Sequence, residues 1–302
     1  MLSFSRNVSP IKKQGANLVD TFLDRAKDLP VMPEVASKVM NLKEGGKEIS
    51  FKELEAIIKV DPGLMSRVLK IANSALYARQ REITSLQMAI TLLGFNNIRN
   101  LVLLLTASSM FPKMRKSGFH SGFWQHSILS AFLARGIAVR CQNAAGAEEA
   151  FISGLLHDIG QAVLYNSNPE LYEQALEAEK LGSMTLETIE DQMFGANHRQ
   201  IGGALLKRWN FPELYADAAE EHESLNIGSP HKNAIIVVSV ADLFAEKITD
   251  SGLRPMKAAL LAQLLPYTCL AGMDPDALPK GYSEELARDP LYQEYQRLFG
   301  VA

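Results

Sequence analysis

An eleven-residue stretch, FISGLLHDIGQ at Phe151–Gln161, constrains this chain more than any other. Read as a helix, it has an apolar face of Phe151, Ile152, Leu155, Leu156 and Ile159, and it carries His157 and Asp158 side by side. Such a helix belongs in a core, where charged groups are costly unless paired or bound to a metal. Adjacent helical residues project about 100° apart. A long imidazole and a short carboxylate can still converge on one ion above the helix surface. The doublet therefore reads as half of a metal site, whose other ligands must come from elsewhere in the chain.

Helical spacing continues almost throughout. Val19, Phe22, Leu23 and Ala26 share one apolar face. Pro30 and Pro33 interrupt it, Glu34–Leu42 resumes it, and Gly45-Gly46 stops it. Ser50 with Glu53 fits a capping box opening the next helix. Asp61 suits an N-cap and Pro62 the first helical position. Thr84-Ser85 caps a helix that stops at Gly94, and Asn96-Asn97 starts another at Ile98–Ser108. Phe123–Arg140 carries His126, and Ala147–Tyr165 reads as one helix containing the doublet. Further helices are expected at Leu171–Leu181, Thr185–Met193, Asn197–Trp209, from Pro212 to His222, at His231–Lys247 and at Leu253–Leu265. A Pro/Gly-rich tail ends in a short helix, Tyr292–Phe299. No alternating strand pattern is present. The expected fold class is all-α, a multi-helix bundle. Its expected parts are a polar tail (1–17), an N-terminal helical part (18–116), a helical core (117–250) and C-terminal helices (251–302).

With 302 residues, 47% of them hydrophobic, a sizeable core is within reach. A net charge of -3 and a pI near 6.1 lack the basic footprint of a nucleic-acid binder. The longest apolar run, Leu101–Leu105, is too short to span a bilayer, and the N-terminus has no secretory apolar segment. A cytoplasmic protein with no nucleic-acid or membrane partner is expected. Cys141 and Cys269 are far apart, outside any CxxC pattern, and read as two free thiols.

Of six histidines, His126, His157, His198 and His222 sit on or at the ends of expected helices with apolar neighbours. Asp158 and Asp242 are acids inside strongly apolar segments and need partners. Together these six could share a divalent cation, and imidazole with carboxylate suits Fe, Mn, Zn or Ni. Two ions would activate a water and clamp a phosphate. The competing reading is a metal-free network in which His126 and His157 bond to Asp158 and Asp242. His120 and His231 receive no role. Asn73 reads as a helix-end cap, and Trp124 and Trp209 as core. Arg79, Arg81, Arg99, Lys113, Arg115 and Lys116 read as a solvated face. No Walker, Rossmann or nucleophile-elbow sequence occurs.

The order His126, then His157-Asp158, then Asp242 resembles the HD superfamily of metal-dependent phosphohydrolases. LPVMPEVASKVMNL, IIKVDPGLMSRVLKIANSALY, ITSLQMAITLLGFNNIRNLVL and NHRQIGGALLKRWNFPELYADAAEEH resemble the HDOD (HD-related output) domain, over roughly residues 22–222. The resemblance implies an HD-domain-like core with an N-terminal helical subdomain. It also implies a regulatory output module of bacterial signalling, acting by binding a signalling protein or a small phosphorylated ligand. His198 and His222 fall where the HD-GYP branch places ligands for a second ion, so one or two divalent ions are expected. Two departures count against catalysis. Gln161 stands where that branch has a lysine expected to stabilise the scissile phosphate. His222-Glu223 stands in place of its paired histidines, and the only GYS, Gly281–Ser283, comes too late. The resemblance thus carries over metal binding rather than phosphodiester hydrolysis. Two alternatives stay open. One is a metal-dependent phosphohydrolase acting on phosphomonoesters, nucleotides or cyclic nucleotides, with Asp158 orienting the attacking water. The other is a metal-free helical scaffold.

Overall fold

The structure is a computed structural model describing residues 19, 21–23, 33–40, 42, 47–74, 82–143, 146–182, 184–250 and 252–299. The polar tail 1–17, Ala26, Pro30, Gly45-Gly46, Arg79 and Arg81 lie outside the described residues. Among the described residues every regular element is a helix and no strand occurs.

The N-terminal helices are α1 (Glu34–Met40), α2 (Lys47–Lys59), α3 (Pro62–Ala72), α4 (Leu86–Leu93) and α5 (Phe95–Ser109). Asp61 caps α3 as expected, its carboxylate accepting from the N–H groups of Gly63 and Leu64 at 2.9 and 3.0 Å. Ser85 caps α4 by accepting from the Met88 N–H at 3.2 Å. Each such cap contributes about 1 kcal/mol. Asn73 ends α3 and also clamps the returning chain: its side chain donates to the Ile83 carbonyl at 2.6 Å and accepts from the Ile83 N–H at 2.7 Å. Two expected starts move. Helix α2 begins at Lys47, so Ser50 lies within it rather than capping it. Helix α5 begins at Phe95, because Gly94 (φ 86°) turns the chain without needing the asparagines as a cap.

The remaining helices are α6 (Gly118–Arg140), α7 (Ala147–Leu156), α8 (Ile159–Ser167), α9 (Pro169–Lys180), α10 (Leu186–Phe194), α11 (His198–Arg208), α12 (Glu213–Glu221), α13 (Lys232–Thr249), α14 (Pro255–Leu264), α15 (Ala277–Leu286) and α16 (Pro290–Leu298). Helix α6 starts five residues earlier than the apolar pattern suggests, because Ser117 caps it by accepting from the His120 N–H. Helix α15 corrects the reading of an irregular tail: Pro279 and Gly281 sit inside it, and Tyr282 packs inward.

Helix α6 is the central post. It is buried over most of its length and packs against α7 and α13, while α8 packs on α11 and α11 on α12. Trp124 is fully buried on α6, and Trp209 follows α11 in the core. Helix α16 returns to α6, with Tyr292 and Tyr295 edge-on to Phe132. Among the described residues no single helix is long and apolar enough to cross a membrane. Helices α4 and α5 would qualify only as a pair, yet they meet at 111° and α5 is buried in the fold.

The structure overturns the free-thiol reading. Cys141, at the end of α6, and Cys269, between α14 and α15, form a disulfide with their Cα atoms 5.2 Å apart. Separation along the chain carries no information about that distance, because α6 and the α14–α15 connection meet only after the bundle closes. The thiol argument for a reducing compartment falls with it. A link closing a 128-residue loop removes denatured-state entropy worth up to about 5 kcal/mol. Cys141→Ser, or reduction with dithiothreitol, should therefore lower the melting temperature by several degrees. Superimposable melts of oxidised and reduced protein would show that the link contributes nothing.

Candidate metal centre

The doublet helix is broken where it matters. Helix α7 ends at Leu156, and α8 begins at Ile159. Asp158 stands between them at φ -98° and ψ 11°, outside helical geometry, and its side chain caps no N–H of α8. Its carboxylate faces histidines instead. The expected continuous helix Ala147–Tyr165 is thus two helices, and the break lets adjacent side chains aim at one point. That removes the angular divergence a straight helix imposes.

Four other elements deliver partners. His126 comes from α6, Asp242 from the middle of α13, His198 opens α11, and His222 follows α12. His126 Nε2 lies 3.0 Å from Asp242 Oδ1, 3.2 Å from His157 Nε2 and 3.7 Å from Asp158 Oδ2. His157 Nε2 lies 3.4 Å from Asp158 Oδ2 and 3.5 Å from Asp242 Oδ1. His198 Nε2 and His222 Nε2 each lie 3.5 Å from the other oxygen, Asp158 Oδ1. Asp158 is therefore the hinge of the cluster, one oxygen toward His126 and His157, the other toward His198 and His222. All six sequence candidates converge, and all but the half-buried His126 are buried. His120 and His231 do not take part: His120 packs near Phe299 and His231 precedes α13.

The far side of three imidazoles decides what they can offer. His157 Nδ1 donates to the Gly154 carbonyl at 2.8 Å. His222 Nδ1 donates to the Ala218 and Ala219 carbonyls at 3.2 and 3.1 Å. His198 Nδ1 donates to Glu190 Oε2 at 2.6 Å. A carbonyl or carboxylate can only accept, so the protons sit on Nδ1 and the Nε2 lone pairs face the centre. In neutral histidines these lone pairs and two carboxylates would repel one another, and a divalent cation resolves that repulsion. The residues present therefore fit a metal. Three ligand groups have donor atoms within 4.8 Å of one another: His126, His157 and Asp242; His157, Asp158 and His222; and His198, His222 and Glu223.

Sequence reasoning missed the supporting acids. Glu190 is fully buried on α10 and accepts from the His198 N–H, His198 Nδ1 and the Tyr172 hydroxyl. Its only sequence signal is an acid beside Ile189 on the inward face of α10. Glu223 follows His222 directly and pairs with Lys257 at 2.8 Å.

Protons stand in when no ion is present. Burial alone would lower the His157 pKa, but Asp158 and Asp242 outweigh it and raise it to about 9. Burial also opposes protonation of His198, yet Glu190 and then Asp158 raise it to about 10. Burial would raise Asp158 and Asp242, but the surrounding histidines hold both well below the usual carboxylate range. A histidine raised in the folded state contributes stability that is complete below its unfolded pKa of about 6.5 and is lost as pH climbs through its folded value. Metal-free protein should therefore melt lower at pH 9.5 than at pH 6.5. Metal has to displace these protons, so the melting-temperature gain on adding metal should grow over the same range. A gain independent of pH would contradict this protonation scheme.

The centre opens into a cleft of about 1590 Å³ that includes His126, Asp158, Gln161, His198 and Asp242 in its walls. The HDOD domain description matches residues 29–225. The chain belongs to the HDOD family. An HDOD domain protein of unknown function from Geobacter sulfurreducens is 22% identical with a TM-score of 0.73, over 95% of this chain and 99% of that one. A proposed signal transduction protein from Marinobacter aquaeolei VT8 is 19% identical with a TM-score of 0.76, over 98% of this chain and 67% of that one. A proposed phosphohydrolase from Shewanella amazonensis SB2B is 22% identical with a TM-score of 0.69, over 93% and 98%. These likenesses establish the HDOD fold. An uncharacterised protein of Treponema pallidum (strain Nichols) is 24% identical over 239 residues, 79% of this chain and 46% of that protein. The chain thus spans about half the length of that relative. The HDOD match ends before Asp242, so the cluster is completed by a helix beyond the matched segment.

Proposed function

We propose that this HDOD chain is a regulatory signalling module whose core holds one or two divalent ions (Fe, Mn, Ni or Zn) and which acts by binding a partner protein. The observation that carries this is the convergence of four histidines on the two oxygens of Asp158, with Asp242 set against His126 and His157. The cleft above them is lined by more acids than bases, and three of its cations are already neutralised. Arg199 pairs with Glu187 at 2.9 Å, Arg254 with Glu179 at 3.0 Å, and Lys257 with Glu223 and Glu246 at 2.8 and 2.7 Å. Gln161 offers no charge. Such walls repel a phosphorylated ligand unless ions screen them, which favours a protein partner. The partner would read the packing of α13 and α14 over the centre, cytoplasmic signalling being the expected setting.

Arg199 favours a second reading, hydrolysis of phosphoesters. Its Nη1 is buried at the cleft wall with no hydrogen-bond partner among the described residues, which leaves a donor for an anionic ligand. In that reading bound metal would supply Lewis acidity, Asp158 would orient the attacking water, and Arg199 would hold the phosphate. One experiment separates the readings. Purified protein is analysed for Fe, Mn, Ni and Zn, then screened for turnover of phosphomonoesters, nucleotides and cyclic dinucleotides. Stoichiometric metal without turnover supports the module. Turnover that disappears in Asp158→Ala supports the hydrolase. Absence of metal after both aerobic and anaerobic purification leaves the helical scaffold.

A further inference from the structure

Lys257 is an unusual neighbour for a metal centre. It comes from α14, beyond the HDOD match, and its side chain is 29% exposed. Its ammonium lies 2.8 Å from Glu223 Oε1 and 2.7 Å from Glu246 Oε2. Glu223 is also the carboxylate that completes the His198, His222 and Glu223 ligand group. In a second group, His126, His157 and Asp242, no lysine or arginine among the described residues pairs with the carboxylate in this way: Asp242 faces the two imidazoles. The two halves of the centre are therefore unequal. In one half the acid is free to meet an ion. In the other it is already bound by a positive charge.

We propose that Lys257 sets the number of ions, its ammonium acting as a built-in counter-cation on Glu223 that disfavours an ion on the His198–His222 side. The inference rests on the metal-centre reading above and deepens it. Two physical effects act together. The ammonium takes up the Glu223 oxygen it contacts, and its charge repels a divalent ion a few ångströms away in a partly buried site, where screening is weak. Asp242 feels the same ammonium through space but is not in contact with it, so the His126–His157–Asp242 side is opposed less and the resting protein holds one ion there. Lys257 is accordingly a specificity-determining residue for occupancy rather than a ligand. Its position on α14 also means that whatever shifts α14 shifts the count.

Metal-stripped full-length protein is titrated with Mn²⁺ alone, and bound metal is counted by elemental analysis and by electron paramagnetic resonance, which distinguishes isolated from exchange-coupled ions. Wild type should bind one Mn²⁺, and Lys257→Met should bind two, with at least a tenfold tighter second step and a coupled signal. Lys257→Arg keeps the charge and should remain at one. Lys257→Met strands Glu246 beside Glu223, so the double variant K257M/E246Q removes the ammonium and one acid together and should also bind two. Two ions in the wild type, or one ion in both folded methionine variants, overturns the role of Lys257 while leaving the metal centre standing. No Mn²⁺ in any variant overturns the metal centre and this inference together.

Discussion

Gly160→Ala should be among the most damaging single-methyl substitutions in the protein. A Cβ at residue 160 would lie 1.9 Å from the His198 carbonyl oxygen and 2.8 Å from the Gly202 nitrogen. The obstacle is the backbone of α11, which cannot rotate aside as a side chain can. Adding one methyl therefore forces α8 and α11 apart, at a cost of about 3 kcal/mol or more. At roughly 2 cal/mol/K of unfolding entropy per residue, that corresponds in a chain of 302 residues to a fall of about 5 °C or more in melting temperature. The sign is informative. Alanine is favoured over glycine in a helix interior by about 1 kcal/mol, so without this contact the substitution would stabilise. An unchanged or higher melting temperature would mean that α8 and α11 do not meet as described. The substitution should also weaken metal binding, because it moves His198 away from Asp158.

Asp158→Ala should abolish metal binding while leaving the bundle folded. Among the described residues, Asp158 is the only side chain paired with His126, His157, His198 and His222 together. Losing it removes the one carboxylate that reaches both halves, leaving each with a single acid, Asp242 or Glu223. The drop in affinity should exceed the 10–100-fold typical of losing an outer-shell partner. Glu190→Gln supplies that comparison, since Glu190 orients His198 from behind and otherwise accepts from the Tyr172 hydroxyl. Metal-free Asp158→Ala should also lose part of the elevated proton affinity of His157 and His198, Asp242 and Glu190 retaining the rest. Its stability should therefore fall less between pH 6.5 and 9.5 than that of metal-free wild type. Isothermal titration with Mn²⁺ and thermal melts at those pH values test both expectations. Wild-type affinity in Asp158→Ala would show that the cluster holds no ion through this carboxylate.

Most helices and several caps were legible in the chain because they are local events. Asp61 and Ser85 each satisfy an N–H two or three residues ahead, so the information lies within one turn. The misreadings were local competitions decided elsewhere. Ser50 has the right chemistry for a cap, but α2 already runs from Lys47. Tyr165 looked continuous with Ala147, but the pull of distant imidazoles on Asp158 favours a break in the backbone.

By itself, then, the sequence determined an all-α fold of the HDOD kind and named six side chains that could not sit in its core alone. Helical periodicity and the cost of an unpartnered buried charge are properties of the residues, whatever surrounds them. Tertiary structure decided how the four histidines divide between the two oxygens of Asp158, which acids steady them, and that Lys257 answers Glu223. It also brought Cys141 to Cys269. Each of these depends on distances between segments that are remote in the chain, and such distances exist only once the helices have packed.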